Sequence, residues 1–213
     1  MNPSARPALA PLSVVIPVRD EARRLPSLLA DLAAAPSDLL AEVWVVDGGS
    51  RDGSQRLAGL AGARLLQAGG GRGAQLRRGI TASGGPWLLL LHADARLPRG
   101  WPALVREAIA SGPQQVWAFP LAIEAAGPAL RLVATFTNLR CRLAGLPYGD
   151  QGLLLHRGLY ARCGGIAPMP LMEDLDLMLR LRRLTWPRLL ARPLRVDARR
   201  WRRLGVLRTA WSN

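Results

Sequence analysis

Residues 13–21 read Ser-Val-Val-Ile-Pro-Val-Arg-Asp-Glu, a largely β-branched run that ends in three charged residues. Such a run is typical of a buried strand, and the charged residues mark the loop that follows it. Three further apolar runs along the chain have strand character, namely 42–46, 63–67 and 87–91. Short strands that alternate with helical patterns predict an α/β fold with a mainly parallel sheet and crossover helices.

Apolar residues at helical spacing appear between the predicted strands. Four leucines recur in this way over residues 21–34, so this segment should pack one apolar face on the sheet. Ser50 is a candidate N-cap for a helix that runs to about Ala61 and turns Leu57 and Leu60 inward, and the glycine-rich turn at 69–73 precedes another helical pattern. Beyond residue 98 the pattern becomes mixed, with a helix after 101, a strand near 116–123 and a basic amphipathic helix over about 128–143.

The length of the chain favours one compact domain. Its 213 residues can bury one substantial core, and neither a long linker nor an internal repeat interrupts the pattern. We expect a disordered, Pro-rich segment over residues 1–12 and a single domain over 13–213. Within that domain, residues 13–97 have the pattern of a nucleotide-binding half, and residues 98–213 should recognise a second substrate.

The chain is strongly basic, and its positively charged side chains are all arginines. It carries 29 Lys plus Arg against 15 Asp plus Glu, for a formal net charge of +14, and contains no lysine. This charge is compatible with nucleic acid, an anionic membrane surface or phosphate-bearing substrates, and also with a coding sequence rich in G and C. Because a nucleic-acid binder typically interleaves arginines with aromatics, and only 5% of residues here are aromatic, we expect no nucleic-acid partner.

Cysteine usage and hydropathy both argue against export. Cys141 and Cys163 form no metal-ligand pair such as C-x-x-C, which favours two reduced thiols. Residues 1–12 lack the apolar core of a secretory signal, and charged, Gly and Pro residues break the longest apolar stretch, 116–136. We therefore expect a cytoplasmic protein without a membrane span, with peripheral contact to the cytoplasmic membrane face as an alternative.

Side chains that could bind a ligand or take part in catalysis follow the first two predicted strands. Ligands of open α/β sheets bind beyond the carboxyl ends of the strands, and Asp20 and Glu21 follow the first strand. Asp47 ends the second strand, where it could accept a hydrogen bond from a ribose hydroxyl or a base N–H while Gly48 allows close approach. The alternative is an Asp that caps the next helix.

The third and fourth strands lead into two further candidate loops. Arg72, in the run Gly71-Arg72-Gly73-Ala74-Gln75, opens a helix whose free N–H groups could face phosphate; alternatively the glycines only serve the turn. In His92-Ala93-Asp94, the carboxylate of Asp94 and two phosphate oxygens could hold a hard divalent cation. The alternative there is a solvated turn Asp beside a packed His.

The second half adds three carboxylates and a basic cluster. Asp150, Glu173 and Asp174 could supply a general base that deprotonates an acceptor hydroxyl. For Glu173 and Asp174 the alternative is a first helical turn, where acidic residues are common because of the helix dipole. Residues 199–201, Arg-Arg-Trp, are suited to diphosphate binding and sugar stacking, or else form a solvated basic tail.

Taken in order, these segments resemble the family 2 inverting glycosyltransferases of the GT-A fold, over residues 13 to about 211. Residues 14–21 look like the first strand and nucleotide loop of that family, and 47–54 resemble its second motif. His92-Ala93-Asp94 stands where the family has its metal-binding Asp-x-Asp, and Glu173-Asp174 where it has its catalytic pair. Five runs are also similar to a small bacterial subgroup, the radical-SAM/selenodomain-associated or arsenosugar-type glycosyltransferases: Gly71–Gln75, Leu91–Pro98, Tyr148–Gly152, Pro170–Asp174 and Ala198–Trp201.

The resemblance implies transfer of a hexosyl unit from a sugar-nucleotide, most simply a UDP-sugar, with inversion. The acceptor would be a hydroxyl or carboxyl of a small or lipid-like, carotenoid-like molecule. Asp94 would hold Mg²⁺ or Mn²⁺, and Asp174, or else Glu173, would be the general base. The implied nucleotide-sugar contacts are Pro17, Asp20, Glu21, Asp47, Gly48, Arg72, Gln75, His92, Arg199, Arg200 and Trp201, and the implied acceptor contacts are Gly149, Asp150 and Gln151.

Two departures from the family pattern refine this prediction. His92 replaces the first acidic residue of Asp-x-Asp, which leaves Asp94 as the main protein ligand of the cation. Asp197 replaces the Gln of the Gln-x-x-Arg-Trp motif found in processive members, and their membrane helices are missing, so we expect non-processive transfer.

Two rival classes remain open at the level of sequence. A nucleotidyltransferase would share the sheet and the metal carboxylate, although its glycine loop normally follows the first strand, where this chain has Arg19-Asp20-Glu21. The other is a non-catalytic protein that binds a nucleotide or a membrane surface, which the charge and the basic helix favour. The sequence does not indicate an oligomeric state.

Overall fold

The computed structural model describes residues 10–124, 127–167, 169 and 172–198. Ten strands, seven helices and one 3-10 turn follow one another in this part of the chain. In chain order they are β1 (Leu12–Val18), α1 (Leu25–Ala33), β2 (Leu40–Asp47), α2 (Ser54–Leu60), β3 (Arg64–Gln67), α3 (Arg72–Ala82), β4 (Trp87–Leu90), β5 (Ala95–Arg96), α4 (Trp101–Ala110), β6 (Trp117–Ala118), β7 (Leu121–Glu124), α5 (Pro128–Ala144), the 3-10 turn (Gly149–Gln151), β8 (Leu153–His156), α6 (Arg157–Arg162), α7 (Glu173–Leu181), β9 (Arg188–Leu189) and β10 (Leu194–Asp197).

The main sheet has seven strands in the order β3-β2-β1-β4-β8-β6-β9. The four strands predicted in the first half form its parallel part, β3-β2-β1-β4. β8 runs antiparallel to both β4 and β6, and β9 pairs with β6 in parallel. A second sheet has three strands in the order β5-β10-β7. The predicted α/β fold with a mainly parallel sheet is confirmed.

The strand order reverses at β1, which lies between β2 and β4. The chain first builds outward from β1 through β2 to β3, and then returns to place β4 on the other side of β1. The loops after β1 and β4 therefore diverge and leave a crevice between them, where ligands of such sheets normally bind.

Both faces of the main sheet are covered, which explains why its strands read as nearly continuous apolar runs. Val14 and Ile16 of β1 pack into one core together with residues of α1 and α4. Val15 packs into a second core with residues of α3 and α7. Pro17 lies beyond the last β1–β4 pair, Val15 with Leu90, so its missing N–H costs no hydrogen bond to β4.

Helix α1 has the predicted apolar face, since its four leucines are buried. The helix begins at Leu25 rather than at residue 21. Residues 21–24 form a turn instead, because the N–H groups of Arg24 and Leu25 both donate to the Glu21 carbonyl. Pro26 then stands in the first turn of the helix, where its lack of an N–H is harmless.

Helix α2 begins later than predicted. It starts at Ser54, since the Ser50 hydroxyl accepts a hydrogen bond from the Asp20 N–H instead of capping a helix. The prediction that Leu60 faces inward is also wrong. The buried side of this short helix carries Ser54 and Ala58, and a residue two positions after Ala58 falls on the opposite side.

The strand predicted near 116–123 is divided by Pro120. Because proline has no N–H for a strand ladder, β6 ends before it in the main sheet and β7 begins after it in the three-stranded sheet. The basic helix predicted over about 128–143 is α5, and its Asn138 amide bonds to both the N–H and the carbonyl of Leu121 in β7.

Two other expectations can be compared with the described residues. Within this part of the chain, no helix combines the length and the apolar character that a membrane crossing requires. Cys141 and Cys163 are both free, which agrees with the expectation of two thiols, and both are buried.

Candidate functional site

Hydrogen bonds tie the loop after β1 to the loop after β2. The Asp20 N–H donates to Ser50 Oγ at 2.9 Å, and Asp20 Oδ1 accepts from the Arg51 N–H at 2.8 Å. The Glu21 N–H donates to Ser54 Oγ at 3.0 Å. Asp20 has a φ of 55°, which aspartate tolerates better than most residues. Asp20 therefore shapes the two loops and uses one carboxylate oxygen within the protein.

Asp47 is a buried carboxylate with one oxygen available. Its Oδ2 accepts from the N–H groups of Gly49 and Ser50, each at 2.9 Å, and from the side-chain amide of Gln55 at 2.8 Å. Burial alone would raise the pKa of Asp47, but the donors on Ser50, Gly49 and Gln55 outweigh it and hold the pKa below its usual value. Oδ1 is buried without a hydrogen-bond partner, so it is placed to accept from a ligand.

Gln75, implied by the resemblance as a nucleotide-sugar contact, has a structural task. Its side chain is buried, and its amide nitrogen donates to the carbonyls of Val18 at 2.9 Å and Val46 at 2.7 Å. It thereby joins the carboxyl ends of β1 and β2. Gly48 makes room for this amide, because a Cβ there would lie 3.0 Å from Gln75 Nε2. Both residues position the nucleotide loops through packing.

Arg72 links the two halves of the chain. Its guanidinium forms an ion pair with Glu173 and another with Asp174, with 3.1 Å between Arg72 Nη2 and Asp174 Oδ2. Arg72 Nη1 also lies 3.2 Å from His92 Nε2. The sequence predicted these four residues as candidates but did not predict that Arg72 joins the pair Glu173-Asp174.

The two carboxylates of this pair differ in their surroundings. Glu173 is buried, and Gly73 of α3 packs directly on its side chain, so a Cβ at that glycine would lie 3.1 Å from Glu173 Cγ. Both side chains line a pocket, but Asp174 is the more accessible, with 20% of its side chain exposed against 3% for Glu173. Glu173 therefore fits a structural counter-ion for Arg72, whereas Asp174 can reach a bound molecule.

Asp174 is held as an ionised base. Burial favours its neutral form, but the charge of Arg72 and the N–H groups of Gly149 and Leu175, each 2.9 Å from a carboxylate oxygen, outweigh this. The pKa of Asp174 therefore lies below its usual value. At neutral pH this carboxylate is charged and ready to accept a proton.

A pocket opens beside these charged groups. Arg72, His92, Glu173 and Asp174 line it together with Tyr148 and Gly149. The remaining wall is mostly apolar, so charges in it interact more strongly than they would in water. Its apolar members are Leu76, Leu90, Leu91, Pro147, Leu153, Ile166, Leu177 and Met178.

Gly149 has to be a glycine because two functional side chains approach it. A Cβ at this position would lie 2.9 Å from His92 Nε2 and 3.1 Å from Asp174 Oδ2. Gln151, by contrast, is fully buried, and its amide bonds to the Phe119 carbonyl and accepts from the Tyr148 N–H. The side chain of Gln151 thus stabilises the turn and does not reach an acceptor.

Asp150 is the most perturbed carboxylate near the pocket. Burial raises its pKa to about 6, and the charge of Arg140 only partly offsets this effect. Asp174 and Asp94 raise this pKa further through their negative charge, whereas Arg72 lowers it. Its Oδ1 is buried without a hydrogen-bond partner, which leaves one acceptor unused.

Asp94 belongs to a different group of charges from the pocket residues. Burial raises its pKa, and the carboxylates of Glu21 and Asp197 raise it further, whereas Arg24 opposes them. Arg24 forms a 2.7 Å ion pair with Asp197 at the end of β10 and a 3.5 Å contact with Glu21. The three carboxylates of Glu21, Asp94 and Asp197 outnumber the single charge of Arg24, so the crevice between β1 and β4 suits a cation.

A cation at Asp94 would need ligands from outside the protein. In the part of the chain that the structure describes, no group of three or more Asp, Glu, His or Cys side chains could hold a metal ion. The residues therefore fit a divalent ion that takes Asp94 as one ligand and draws others from phosphate oxygens and water, as Mg²⁺ commonly does.

Sequence reasoning missed one contact and leaves another untested. Arg140 of α5 stacks on the ring of Tyr148 at 3.5 Å, which holds the pocket wall in place. The adjacency of an aromatic and an arginine across a short loop was the available signal. Arg199, Arg200 and Trp201, predicted to contact the nucleotide-sugar, lie outside the described residues.

A known protein family matches the part of the chain that carries most of the candidate loops. A family described as Glycosyl transferase family 2 matches residues 13–169, which is most of the chain and includes the loops that carry Asp47, Arg72, Asp94 and Asp150. The chain belongs to glycosyl transferase family 2. The match stops before Glu173 and Asp174, so their assignment rests on the geometry around Arg72 and on the motif.

One curated relative is similar over part of the chain. A TPR repeat-containing protein of Synechococcus elongatus is 39% identical over 92 residues. The similar region is 42% of this chain and 22% of that protein. The chain thus spans about a fifth of the length of this relative.

Several solved glycosyltransferase structures share the fold. S. aureus TarS 1–349 superimposes with a TM-score of 0.71 at 14% identity, over 93% of this chain and 64% of that one. Glucosyl-3-phosphoglycerate synthase from Mycobacterium tuberculosis, in complex with Mn²⁺, UDP-glucose and phosphoglyceric acid, gives 0.62 at 21% identity, over 87% and 69%. A mannosyltransferase from Pyrobaculum calidifontis with GDP-Man and Mn²⁺ gives 0.65 at 17% identity, over 91% and 58%. At these identities the likeness establishes the GT-A fold.

Proposed function

We propose that this protein transfers a hexosyl unit from a nucleotide-sugar, in the first instance a UDP-sugar, to an acceptor oxygen with inversion. One observation carries the proposal. Asp174 is an ionised carboxylate at the wall of a pocket, and Arg72, which pairs with it, comes from the glycine turn that opens α3. The proposed general base, Asp174, and the guanidinium of Arg72, which could bind phosphate, therefore lie side by side.

The donor would lie along the carboxyl edge of β2, β1 and β4. The unsatisfied Oδ1 of Asp47 is available to a base N–H or a ribose hydroxyl at the β2 end. Glu21 and Asp94 line the crevice between β1 and β4, where a diphosphate would pass. Arg72 then stands at the sugar end, close to Asp174. Donors bound by the structural relatives, UDP-glucose and GDP-Man, have this base–diphosphate–sugar layout.

A divalent cation fits the diphosphate position. Asp94 would hold it, and Glu21 and Asp197 add the negative surrounding that favours it. Bound there, Mg²⁺ or Mn²⁺ would neutralise the charge that develops on the leaving diphosphate.

In the transfer step, Asp174 would accept the proton and the nucleoside diphosphate would be the leaving group. The acceptor oxygen attacks the anomeric carbon as its proton passes to Asp174, and the bond from that carbon to the diphosphate oxygen breaks. The nucleoside diphosphate leaves on the opposite face, which inverts the configuration. Asp150 would orient the acceptor hydroxyl through its buried Oδ1. The acceptor would be a small or lipid-like molecule with a free hydroxyl or carboxyl; a carboxyl would attack as the carboxylate, without passing a proton to Asp174. Transfer would be non-processive.

Donor hydrolysis separates this function from its rivals. The purified protein is incubated with UDP-glucose, UDP-N-acetylglucosamine or GDP-mannose, with Mg²⁺ or Mn²⁺ and without acceptor. A glycosyltransferase should slowly release nucleoside diphosphate and free sugar, and the Asp174→Asn variant should not. Release of pyrophosphate would identify a nucleotidyltransferase, and binding without turnover would favour a non-catalytic protein.

Membership of the radical-SAM/selenodomain-associated subgroup is part of the proposal. It rests on the five sequence runs alone. Transfer to an arsenosugar precursor or to a carotenoid acid would support it, whereas activity restricted to unrelated acceptors would argue against it.

A further inference from the structure

Helix α5 exposes a continuous apolar stripe. Its large apolar side chains Leu132, Phe136, Leu139 and Leu143 are spaced four, three and four residues apart, so they share one face of the helix. They are 57%, 60%, 45% and 71% exposed, respectively. Four such side chains in a row form a patch of the kind that marks an interaction surface, unlike single exposed leucines.

Exposed large apolar side chains are concentrated in the second half of the sequence. Eleven large apolar residues are exposed in the described part of the chain, and all but Leu60 and Leu65 fall between residues 132 and 186. Trp186, 51% exposed, lies against the end of α5, since a Cβ at Gly145 would be 3.3 Å from its ring. An indole beside an apolar stripe is typical of proteins at a membrane–water interface.

The charged side chains of α5 itself have one sign. The sequence of α5 contains three arginines and no acidic residue. Arg131 and Arg142 are exposed, and helical geometry places them at the flank of the stripe, about 90–110° from its centre. An arginine in that position can lay its aliphatic stem on an apolar surface while its guanidinium reaches a phosphate.

The opposite face of α5 is fixed to the rest of the molecule. Asn138 bonds to the main chain of β7, and Cys141 is buried with its Sγ 3.0 Å from Gln151 Oε1. The stripe therefore points away from the body of the protein. Because these contacts hold α5 in place, the helix does not need a binding partner to keep its conformation.

We propose that α5 lies flat on an anionic lipid surface, with its stripe at the boundary of headgroups and acyl chains. The charges favour lipid over a second copy of this chain. Two copies would bring the same arginines together on a molecule whose net charge is already +14, whereas anionic headgroups neutralise them. Because α5 ends four residues before Tyr148, docking also brings the wall of the pocket near the lipid. The surface does not depend on the proposed transfer reaction.

Vesicle flotation tests this proposal directly. Wild-type protein is mixed at about 0.1 M salt with phosphatidylcholine vesicles, either pure or with about 30% phosphatidylglycerol. We expect flotation only with the anionic vesicles. The double variant Phe136→Glu, Leu143→Glu should bind at least about tenfold more weakly, because it places charge in the stripe. Replacing Arg131 and Arg142 by Gln should weaken binding and make it less sensitive to salt.

Leu60→Glu is the matched control, since Leu60 is 78% exposed on α2, away from the stripe. It should float like wild type, and all variants should keep the wild-type circular dichroism spectrum and melting temperature. The proposal is overturned if wild-type protein ignores anionic vesicles, or if the double variant and the Leu60 control bind equally. It is also overturned if sedimentation velocity shows a dimer that the stripe variant dissociates, because a second copy would then cover this face.

Discussion

Asp174 is the side chain whose replacement should separate binding from turnover. Asp174→Asn keeps the shape of the side chain and one of its two N–H donors but cannot take a proton at neutral pH, so donor affinity should persist while kcat falls about 10²–10⁴-fold. Asp176, in the same helical turn and paired with Arg180, gives the control Asp176→Asn, which should stay near wild-type activity. Nucleoside diphosphate release and calorimetric donor binding are the two measurements. Wild-type turnover in Asp174→Asn would refute its role as the base.

Glu173→Gln should behave differently from Asp174→Asn, since Glu173 is buried against Arg72. We expect a lower melting temperature and only a partial loss of turnover. Equal and complete loss in both variants, without any change in melting temperature, would instead assign the base to Glu173.

Asp47 should govern donor affinity through its buried, unsatisfied oxygen. Asp47→Ala removes an acceptor from the nucleotide end of the site, and a hydrogen bond to a charged group contributes about 1.5–3 kcal/mol. The Kd for UDP should therefore rise about 10- to 100-fold by calorimetry. Asp52→Ala is the control, because Asp52 joins the same loops through Ala22 and Ser54. Equal losses in both variants would indicate a loop effect rather than a ligand contact.

Asp150 should make the stability of the protein fall as pH rises. Its pKa is raised from 3.8 to about 6, so the folded state favours the protonated form. This contribution is fully present below pH 3.8 and is lost as pH rises through about 6, and the total is about 3 kcal/mol. Asp150→Asn should remove this dependence. Urea unfolding between pH 4 and pH 7 measures it, and identical slopes in both proteins would contradict the assignment.

Helix α3 carries Arg72 and rests on the sheet through a glycine. A Cβ at Gly79 would lie 2.4 Å from Val15 Cγ1 and 2.8 Å from Val46 Cγ2. Gly79→Ala should therefore destabilise the protein by about 1–3 kcal/mol through overpacking. Gly59→Ala in α2 is the control, because its nearest neighbour is 3.6 Å away and alanine favours a helix. Both are measured by urea unfolding, and equal effects would show that helix propensity dominates.

The elements were predictable to the extent that their signals are local. The β-branched and Leu-rich runs at β1, β2 and β4 indicated strands that the sheet confirms, because a doubly covered strand is apolar throughout. The predicted start of α2 was wrong, because the observed start depends on a hydrogen bond between Ser50 and Asp20, which lie 30 positions apart in the sequence. Pro120 was visible in the sequence, but nothing local shows that the strands beside it enter different sheets.

The site was predictable as a set of residues but not as a network. The loops were found because the carboxyl ends of parallel strands meet at one edge. Gln75 and Gln151 were assigned to ligands because they stand in the motifs, yet their amides are bonded to main-chain groups inside the protein. Spacing along a chain does not reveal where a buried amide finds its partner.

At the scale of the whole molecule, the site is assembled from two stretches of chain that lie far apart in the sequence. The nucleotide loops lie before residue 98, whereas Asp150 and Asp174 come from the second half. Arg72 bridges them across 101 positions to Glu173. In this arrangement Arg72 pairs with the proposed base, so a donor diphosphate that attracts Arg72 would also loosen its hold on Asp174. Donor binding and base activation are then coupled through one side chain.

This bridge leads to the final prediction. Arg72→Gln leaves Glu173 buried without its counter-ion and should cost about 2–3 kcal/mol, below the full value for a buried pair because Arg72 is partly exposed. Arg72 helps to lower the pKa of Asp174, so its contribution is present above pH 3.8 and is lost as pH falls through the folded-state pKa. The stability gap between variant and wild type should therefore be largest near neutral pH and narrow in acid.

Arg78→Gln is the matched control for Arg72→Gln, since Arg78 is exposed on the same helix. It should unfold like wild type at every pH and keep its affinity for UDP, whereas the Arg72 variant should lose donor affinity as well as stability. If Arg72→Gln lost donor affinity while its stability gap stayed constant with pH, Arg72 would bind phosphate but not hold Asp174. Donor binding could then not prepare the base through Arg72.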